Sequence, residues 1–552
     1  MIPNLNVPIS SLESFQAYKL AAPEVAWVNY EISSKSEILD NAICLPLEGD
    51  DLASYTREKF TLEAERYGGR GVGVNGGGVR CGNHNKFQIK GVGKNPLVGR
   101  HMDIWHAHGG CNVVEGIFEA FWSEVCHKAL PYGSVRTAGL IYTNTHTIAK
   151  TARGINPSKR ILIIRDRCVR PAHFIRAANY DAIVDAWNDD YKDSKRTREA
   201  IIYLTSSITS LVSNPKDFHL KSIAVNQFIF SMANRFAHQI ASARAKRIPH
   251  GSLNCSNISV DGRYVDFGTM TSVPSFSRLK VAVGGADSWQ DEVPLYKSLS
   301  SLIFFLKKYG SADITKDLIS PEISIQWLKR LLSGHLQNEF LKLTGIPGNA
   351  LHNIPSAIRD RLWFFLLRII STTGQSPSYI HLAEIHSQGN LSKILSISAA
   401  SRNLDKLFNS LSSQIPDENV RAGFVHAFFS FRKFYLENNF SGYSSDLLLL
   451  KAGLNSWRLN SDNAKWSRDL SQTWIPHKKL IQNDLLCLQS VLDKNVKQAQ
   501  SLLVDTDCCG QTIVNWLMPG GGDQKLDASS ISYKDLALMS PECFKKIWEA
   551  NS

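Results

Sequence analysis

A two-lobed α+β protein is the fold class this sequence predicts, and three observations predict it. Glycine-rich and strand-patterned segments come first, helical patterns fill most of the chain after about residue 180, and a sharp strand–turn–strand interrupts them at 257–268. At 552 residues the chain has the length of three to four domains, or of one large two-lobed enzyme with a helical extension. The expected division is an N-terminal extension at 1–55, a first lobe at 56–165, a helix-rich second lobe at 166–384, and a helical C-terminal region at 385–552.

The elements follow in order. Residues 1–55 show little periodicity. Tyr67–Gly82 is the densest glycine stretch, and it leads into a short strand pattern, Lys86–Gly91. A helix is expected at about 112–130, with Val113, Ile117, Ala120, Phe121 and Val125 on one stripe. Arg160–Arg165 reads as a buried strand. Beyond residue 385 the pattern is helical, with one late glycine loop at Pro519–Asp523.

Composition narrows the function classes. With 20% charged and 43% hydrophobic residues, wholesale disorder is excluded. The apolar runs Leu302–Leu306 and Leu362–Ile370 are short or broken by Arg368, so no membrane span is expected. The first residues lack a basic segment followed by an apolar run, and the ten cysteines form no C-x-x-C pair. A cytoplasmic protein without a disulfide framework or zinc site is the expectation. Charge is uneven: residues 57–100 hold nine Lys/Arg against three Glu, and residues 150–176 hold eight basic residues against Asp166. Such excess points to an anionic ligand, and no nucleic-acid motif accompanies it.

The segment His250–Gly268 carries most of the chemistry. Asp261-Gly262 is a favoured two-residue turn between Ile258–Val260 and Arg263–Val265, and counting outward from it sets Asn257 opposite Asp266. An amide oxygen and a carboxylate then converge, which suits Mg²⁺, a cation that takes few protein oxygens and completes its shell with water and phosphate. His250, Leu253 and Asn257 also hold the spacing of the protein-kinase catalytic loop, and Asp266-Phe267-Gly268 is a literal D-F-G. Upstream, the same layout asks for a glycine loop, a strand lysine and a helix glutamate. Gly68–Gly78, Lys90 and Glu119 supply them in order. Glu119 is preferred to Glu124 because it shares a helix face with Asn112, Gly116 and Ser123, a small-residue face that a ligand or glycine loop can approach.

The arrangement resembles the selenoprotein O (SelO) family, kinase-fold proteins that transfer AMP. The resemblance rests on Tyr67-Gly-Gly with the later glycines, Phe87–Pro96, Ser123–His127, Arg165–Arg176 around Pro171-Ala-His, and His250–Gly268, with a fainter echo at Trp474–Lys478. It covers roughly residues 60–270. It implies a bilobal protein-kinase-like fold that binds ATP and Mg²⁺ or Mn²⁺. Nucleotide contacts would come from Gly76, Gly77, Gly78, Arg80, Lys90, Glu119, Arg165 and Arg176, with Arg167 and Arg170 as competitors, and metal ligands would be Asn257 and Asp266. The family's Gly-Asp-Gly-Arg appears as Gly77-Gly-Val-Arg80, and its redox residue near the C-terminus has no counterpart, Cys543 lying in another context.

Neither general base is present. The kinase position holds Ser252, and the position the resembling family uses holds Ser256. A positioned base accelerates attack by an alcohol typically 10²–10⁴-fold. A carboxylate, already ionised at neutral pH, needs none. The expected function is therefore ATP- and metal-dependent adenylylation of a carboxylate on a peptide or small molecule, as in siderophore-peptide conjugation, or of a protein hydroxyl, with a second protein subunit as a candidate partner. The alternatives are a pseudokinase scaffold and a small-molecule phosphotransferase. Other residues read as packing or loop-ordering groups: His101, His106 and His108, Trp105 and Trp122, His250 and Cys255.

Overall fold

The computed structural model describes residues 2–102, 107–151, 154–183, 190–211, 218–273, 275–280, 286–371, 378–379, 390–438, 445–460 and 485–504. His106, Trp105, Trp474–Lys478, the Pro519–Asp523 loop and Cys543 lie outside them. The protein is α+β. Apart from a parallel two-stranded pair, Leu279–Lys280 with Ser378–Tyr379, its strands are β1 (Leu12–Leu20), β2 (Glu24–Val28), β3 (Ile43–Cys44), β4 (Tyr55–Glu65), β5 (Cys81–His84), β6 (Phe87–Lys90), β7 (Cys111–Asn112), β8 (Thr137–Thr151) and β9 (Gly154–Asp166). They form one antiparallel sheet in the order β2-β8-β9-β6-β5-β4-β1-β3, with β7 paired to β9.

The segment before residue 55 contributes β1, β2 and β3 to this sheet. Strand β1 pairs along its length with β4, Phe15 opposite Leu62 and Ala17 opposite Phe60, while β2 and β3 form the sheet's two edges. The alternation is real but short: Phe15 and Ala17 face the core, Ser14 and Gln16 the solvent, and Lys19 stands where the next inward residue would fall.

The helices are α1 (Lys35–Asp40), α2 (Val113–Ala129), α3 (Asp190–Thr209), α4 (Phe218–Ala245), α5 (Val293–Tyr309), α6 (Ala312–Thr315), α7 (Pro321–Lys342), α8 (Gly348–Leu351), α9 (Ser356–Ser371), α10 (Leu391–Ala400), α11 (Leu404–Ser410), α12 (Glu418–Glu437), α13 (Ser445–Leu459) and α14 (Leu485–Leu503). Helix α2 begins where expected because Asn112 and Glu115 form a reciprocal capping box. Its apolar stripe packs on β8 and β9 and continues into a core shared with α3, α4 and α5. A second core runs through Phe340, Leu362, Ile394 and Phe424. Helices on both sides of residue 384 share it. Among the described residues no helix is long and apolar enough to cross a membrane.

Candidate functional site

The sheet places the first group of side chains. Strand β6 lies between β5 and β9, with Gln88 opposite Arg165 and Lys90 opposite Ile163. Side chains two apart on a strand share a face, so Gln88 and Lys90 point the same way. Helix α2 crosses that face and delivers Glu119. The buried Lys90 ammonium donates to Glu119 Oε1 at 2.5 Å and also to Asp266 Oδ1. Three distant elements thus meet at one nitrogen. The Phe267 N–H donates to Glu119 Oε1 at 3.2 Å, which ties the segment after Asp266 to α2 as well.

Glu119 reaches Lys90, whereas Glu124 is paired with Arg136 at 2.5 Å. The small-residue face does not serve the glycine loop, however. A Cβ on Gly116 would meet Ile161 at 2.9 Å and Leu140 at 3.5 Å, so the glycine lets α2 close onto the sheet.

The hairpin register differs from the expected one. Ile258, not Ser259, bridges Tyr264, and the Gly262 N–H donates to Ser259 O at 2.9 Å. The loop therefore has three residues and ends on Gly262 at φ 94°, the backbone of a type I turn closed by a left-handed residue. Asn257 accordingly faces Val265, whose N–H donates to Asn257 O at 3.2 Å, and Asp266 lies one residue further on. Asp266 takes φ 70°, a left-handed conformation few non-glycine residues adopt.

Charge in the site is strongly coupled. Burial opposes ionisation of both Lys90 and Asp266, but each overcomes it for the other. The ammonium is held above its usual range by Asp266 and Glu119, and the carboxyl well below its own by Lys90, then Arg165 and Arg80. Arg165 donates to Gln88 Oε1 at 2.9 and 2.7 Å and lies 3.4 Å from Glu119 Oε2. Arg170 reaches the same Gln88 oxygen at 3.4 Å and donates to Ser256 O at 2.7 Å. Gln88 thus joins the Lys90–Glu119 pair to the loop that carries Asn257. The sequence offered one unused signal for it, its position two residues before Lys90. Arg80 bonds Gly110 O and Glu115, at 3.3 and 3.0 Å.

Two groups of candidates are placed elsewhere or otherwise engaged. The Gly76 and Gly78 N–H groups donate to Leu97 O and Glu65 O, both at 2.9 Å, and Gly77 packs against the Glu65 carbonyl, so this triplet is tied into its own scaffold. The glycines that approach the Asn257 loop are Gly69, where a Cβ would crowd Cys255 Sγ, and Gly71, where one would fall 2.6 Å from Asn254 Oδ1 and 2.7 Å from Ser256 Oγ. Arg176 joins a neighbouring cluster on Asp193 (3.8 Å) with Arg66 (3.3 Å) and Arg196 (2.8 Å). Arg167 pairs with Glu63 at 3.1 Å, beside a cavity walled by Ile2–Val7 and Arg263.

The two serines order the loop. Ser252 Oγ accepts from Thr269 Oγ1 at 2.7 Å, while the Asn257 amide donates to Ser252 O at 2.8 Å. Ser256 Oγ donates to Asn254 Oδ1 at 2.6 Å. His250 is buried, with Nε2 on Val265 O at 3.0 Å, and burial lowers its pKa. His108 accepts from the Gly110 N–H at 3.1 Å, and His101 faces Asp181.

The oxygens open to a divalent cation at this site are those of Asp266 and Asn257, the latter also accepting from Ser256 Oγ at 3.3 Å. Asp266 is about one-third exposed (35%), its second carboxylate oxygen has no hydrogen bond among the described residues, and the Asn257 amide nitrogen is turned to Ser252. Among the described residues no group of three or more His, Cys, Asp and Glu could hold a metal ion. A cation here would rest on one amide oxygen and one carboxylate, with the rest of its shell from water or phosphate. Comparison with known proteins finds no family model that matches the chain and no curated protein that matches it.

Proposed function

We propose that this protein is an ATP- and divalent-metal-dependent nucleotidyltransferase with a bilobal protein-kinase-like architecture, and that its acceptor is a carboxylate. The sheet with α2 makes the first lobe and the helical body the second. The observation that carries the reading is the meeting of Lys90, Glu119 and Asp266 beside Asn257, a cationic niche whose one partly exposed carboxylate faces outward. Such a niche suits a polyanion accompanied by a hard cation. Lys90 would exchange its bond to Asp266 for one to phosphate, and Asp266 would then be free to hold Mg²⁺ or Mn²⁺ together with Asn257.

The acceptor class follows from what surrounds Asn257. Ser252 and Ser256 are hydroxyls in local hydrogen bonds, and His250 is buried on a backbone carbonyl. None is a base for an alcohol. A carboxylate attacks the α-phosphorus without losing a proton: the new O–P bond forms, the bond to the β-phosphate bridge breaks, and pyrophosphate departs with its electron pair. The product is an acyl-adenylate, ready for peptide or ester synthesis.

Calorimetric titration of ATP with Mg²⁺ or Mn²⁺ into the wild type and Asp266→Ala tests the site. Binding is expected in the first and not in the second. Pyrophosphate should then appear only with the cognate acid. ADP release would identify a phosphotransferase instead, and turnover confined to hydroxyl acceptors would remove the carboxylate. The same two serines favour a second reading, a pseudokinase that binds nucleotide or a partner without turnover, for which no acid would release pyrophosphate.

A further inference from the structure

Helix α14 returns from the far end of the described chain to the sheet half, and it holds two elements at once. Its Gln489 pairs with the backbone of edge strand β2 on both sides: the Val28 N–H donates to Gln489 Oε1 at 2.9 Å, and Gln489 Nε2 donates to Val28 O at 3.1 Å. Asp493 accepts from the Trp27 indole at 2.9 Å and from Gln489 Nε2 at 2.9 Å. About two turns further on, Gln500 Nε2 donates to Glu124 O, on the helix that carries Glu119, at 2.8 Å. Between these polar ties, Leu488, Leu492, Val496, Ala499 and Leu503 recur at helical spacing and enter the core that holds Ile117, Phe121 and Trp122 of α2.

The far end of α14 is fixed too. Arg458 of α13, almost wholly buried, donates to the carbonyls of Ser501, Leu502 and Val504 at 3.1, 3.1 and 2.9 Å. A guanidinium thus closes the helix C-terminus, where the last carbonyls lack intrahelical partners.

These contacts have a consequence for the candidate site. Lys90 is on β6, and β6 is linked through β9 and β8 to β2 by successive hydrogen-bonded ladders. Glu119 is on α2. By gripping β2 with one end and α2 with the other, α14 ties the lysine's sheet to the glutamate's helix from outside the ion pair. We propose that Gln489, Asp493 and Gln500 are positioning residues: they set the separation of Lys90 and Glu119, so that ligand affinity at the site depends on a helix that does not touch the ligand. The inference rests on the nucleotide-site reading for its affinity readout only.

The test uses the full chain and the variant pair Gln489→Ala/Gln500→Ala, which removes the polar ties and leaves the apolar stripe. Gln500→Ala alone serves if the pair folds poorly. Amide hydrogen exchange, measured without nucleotide, should quicken over residues 113–129 and stay unchanged over the Asn257–Asp266 hairpin. Titration with Mg²⁺–ATP should show affinity weakened roughly two- to thirty-fold. In a Glu119→Gln background the same pair should add little further loss, because a brace that acts through Glu119 has nothing left to position. Losses that simply add across the two backgrounds, or exchange in α2 that does not change, would overturn the proposal. If the wild type binds no nucleotide, the site reading fails, and the exchange measurement alone still decides whether α14 braces α2.

Discussion

The cluster on Lys90 and the cluster on Asp193 share their ingredients, buried cations around buried carboxylates, and differ in where the hydrogen-bonding capacity goes. Around Asp193 it is turned inward. Arg196 donates to His173 O and Ile175 O, both at 2.6 Å, and to Thr197 Oγ1 at 2.8 Å, while the Ala177 N–H donates to the Asp193 carboxylate at 2.8 Å. The result locks the 173–177 segment onto α3, and Asp193 is only 3% exposed. Around Lys90 the ions come from three distant elements, Asp266 stands in a left-handed backbone conformation, and one of its oxygens is uncommitted among the described residues. In the Asp193 cluster charge is spent chiefly on the backbone and carboxylate of its own fold, whereas in the Lys90 cluster one carboxylate oxygen stays open among the described residues.

Asp193→Ala should make the largest break in that comparison. It leaves Arg66, Arg176 and Arg196 around an uncompensated site, and removing one partner of a buried charge set costs roughly 3–5 kcal/mol. Urea denaturation should register a loss of that size, and a loss under about 1 kcal/mol would show that solvent or Glu13 already neutralises the cluster. Asp266→Asn is the matched change on the other side. Asparagine tolerates the left-handed backbone, and Lys90 keeps Glu119, so folding stability should fall by less than in Asp193→Ala. Affinity for Mg²⁺–ATP should instead fall by about ten- to a hundred-fold, the worth of one hydrogen bond or ion contact to a charged group. Equal affinity for the two proteins would mean that Asp266 is a structural partner of Lys90 and nothing more.

Much of this was readable from residue order. Strand β6, the span of helix α2 and the pairing of Lys90 with Glu119 follow from motifs whose members are each a few residues long. Three things were not. Strand β1 has only Phe15 and Ala17 facing inward at strict alternation, so its pairing with β4 shows only once the partner is placed. The hairpin turn at Asp261-Gly262 fits both a two-residue and a three-residue loop, and the choice of the longer one moves every partner by one position, setting Asn257 against Val265. The arginines were ambiguous because charge says nothing of direction. Arg165 and Arg176 looked alike in the sequence, yet a strand face turns one toward Glu119 while the segment after Pro171 carries the other to Asp193.

Gln88 sharpens the comparison further, because it is a neutral side chain shared by two buried guanidinium groups. Gln88→Leu keeps the volume and removes the acceptor that Arg165 and Arg170 both use. Leaving such donors unsatisfied costs roughly 1–3 kcal/mol. The thermal midpoint should fall, and nucleotide affinity should fall with it, since Arg170 also fixes Ser256 O beside Asn257. A drop in the midpoint with full affinity would separate the relay from the ligand site.

Acidification gives the smallest and most specific effect, and it falls on the residue between the clusters. His173 accepts the Arg170 N–H on Nδ1 at 3.0 Å, its Nε2 lies 3.3 Å from Glu65 Oε2, and its carbonyl accepts from Arg196. Burial lowers the His173 pKa from 6.5 and outweighs the Glu65 carboxylate, while Glu65, despite burial, is held at about 2 by His173 and Arg170. Below pH 6.5 the unfolded chain therefore takes up a proton at His173 that the folded chain refuses, and stability falls as pH falls. Asp193 and Asp266 act in the opposite part of the scale: their depressed pKa values keep them ionised in the fold, and the stability they contribute is lost only below the usual carboxylate range. One histidine contributes at most about 1.4 kcal/mol per pH unit to this slope. His173→Gln should flatten the decline of the thermal midpoint between pH 7.5 and 5 relative to wild type, whatever its midpoint at neutral pH. An unchanged slope would place the proton uptake at the other histidines whose pKa values burial lowers, the buried His250 and the half-buried His84, His108, His127 and His335.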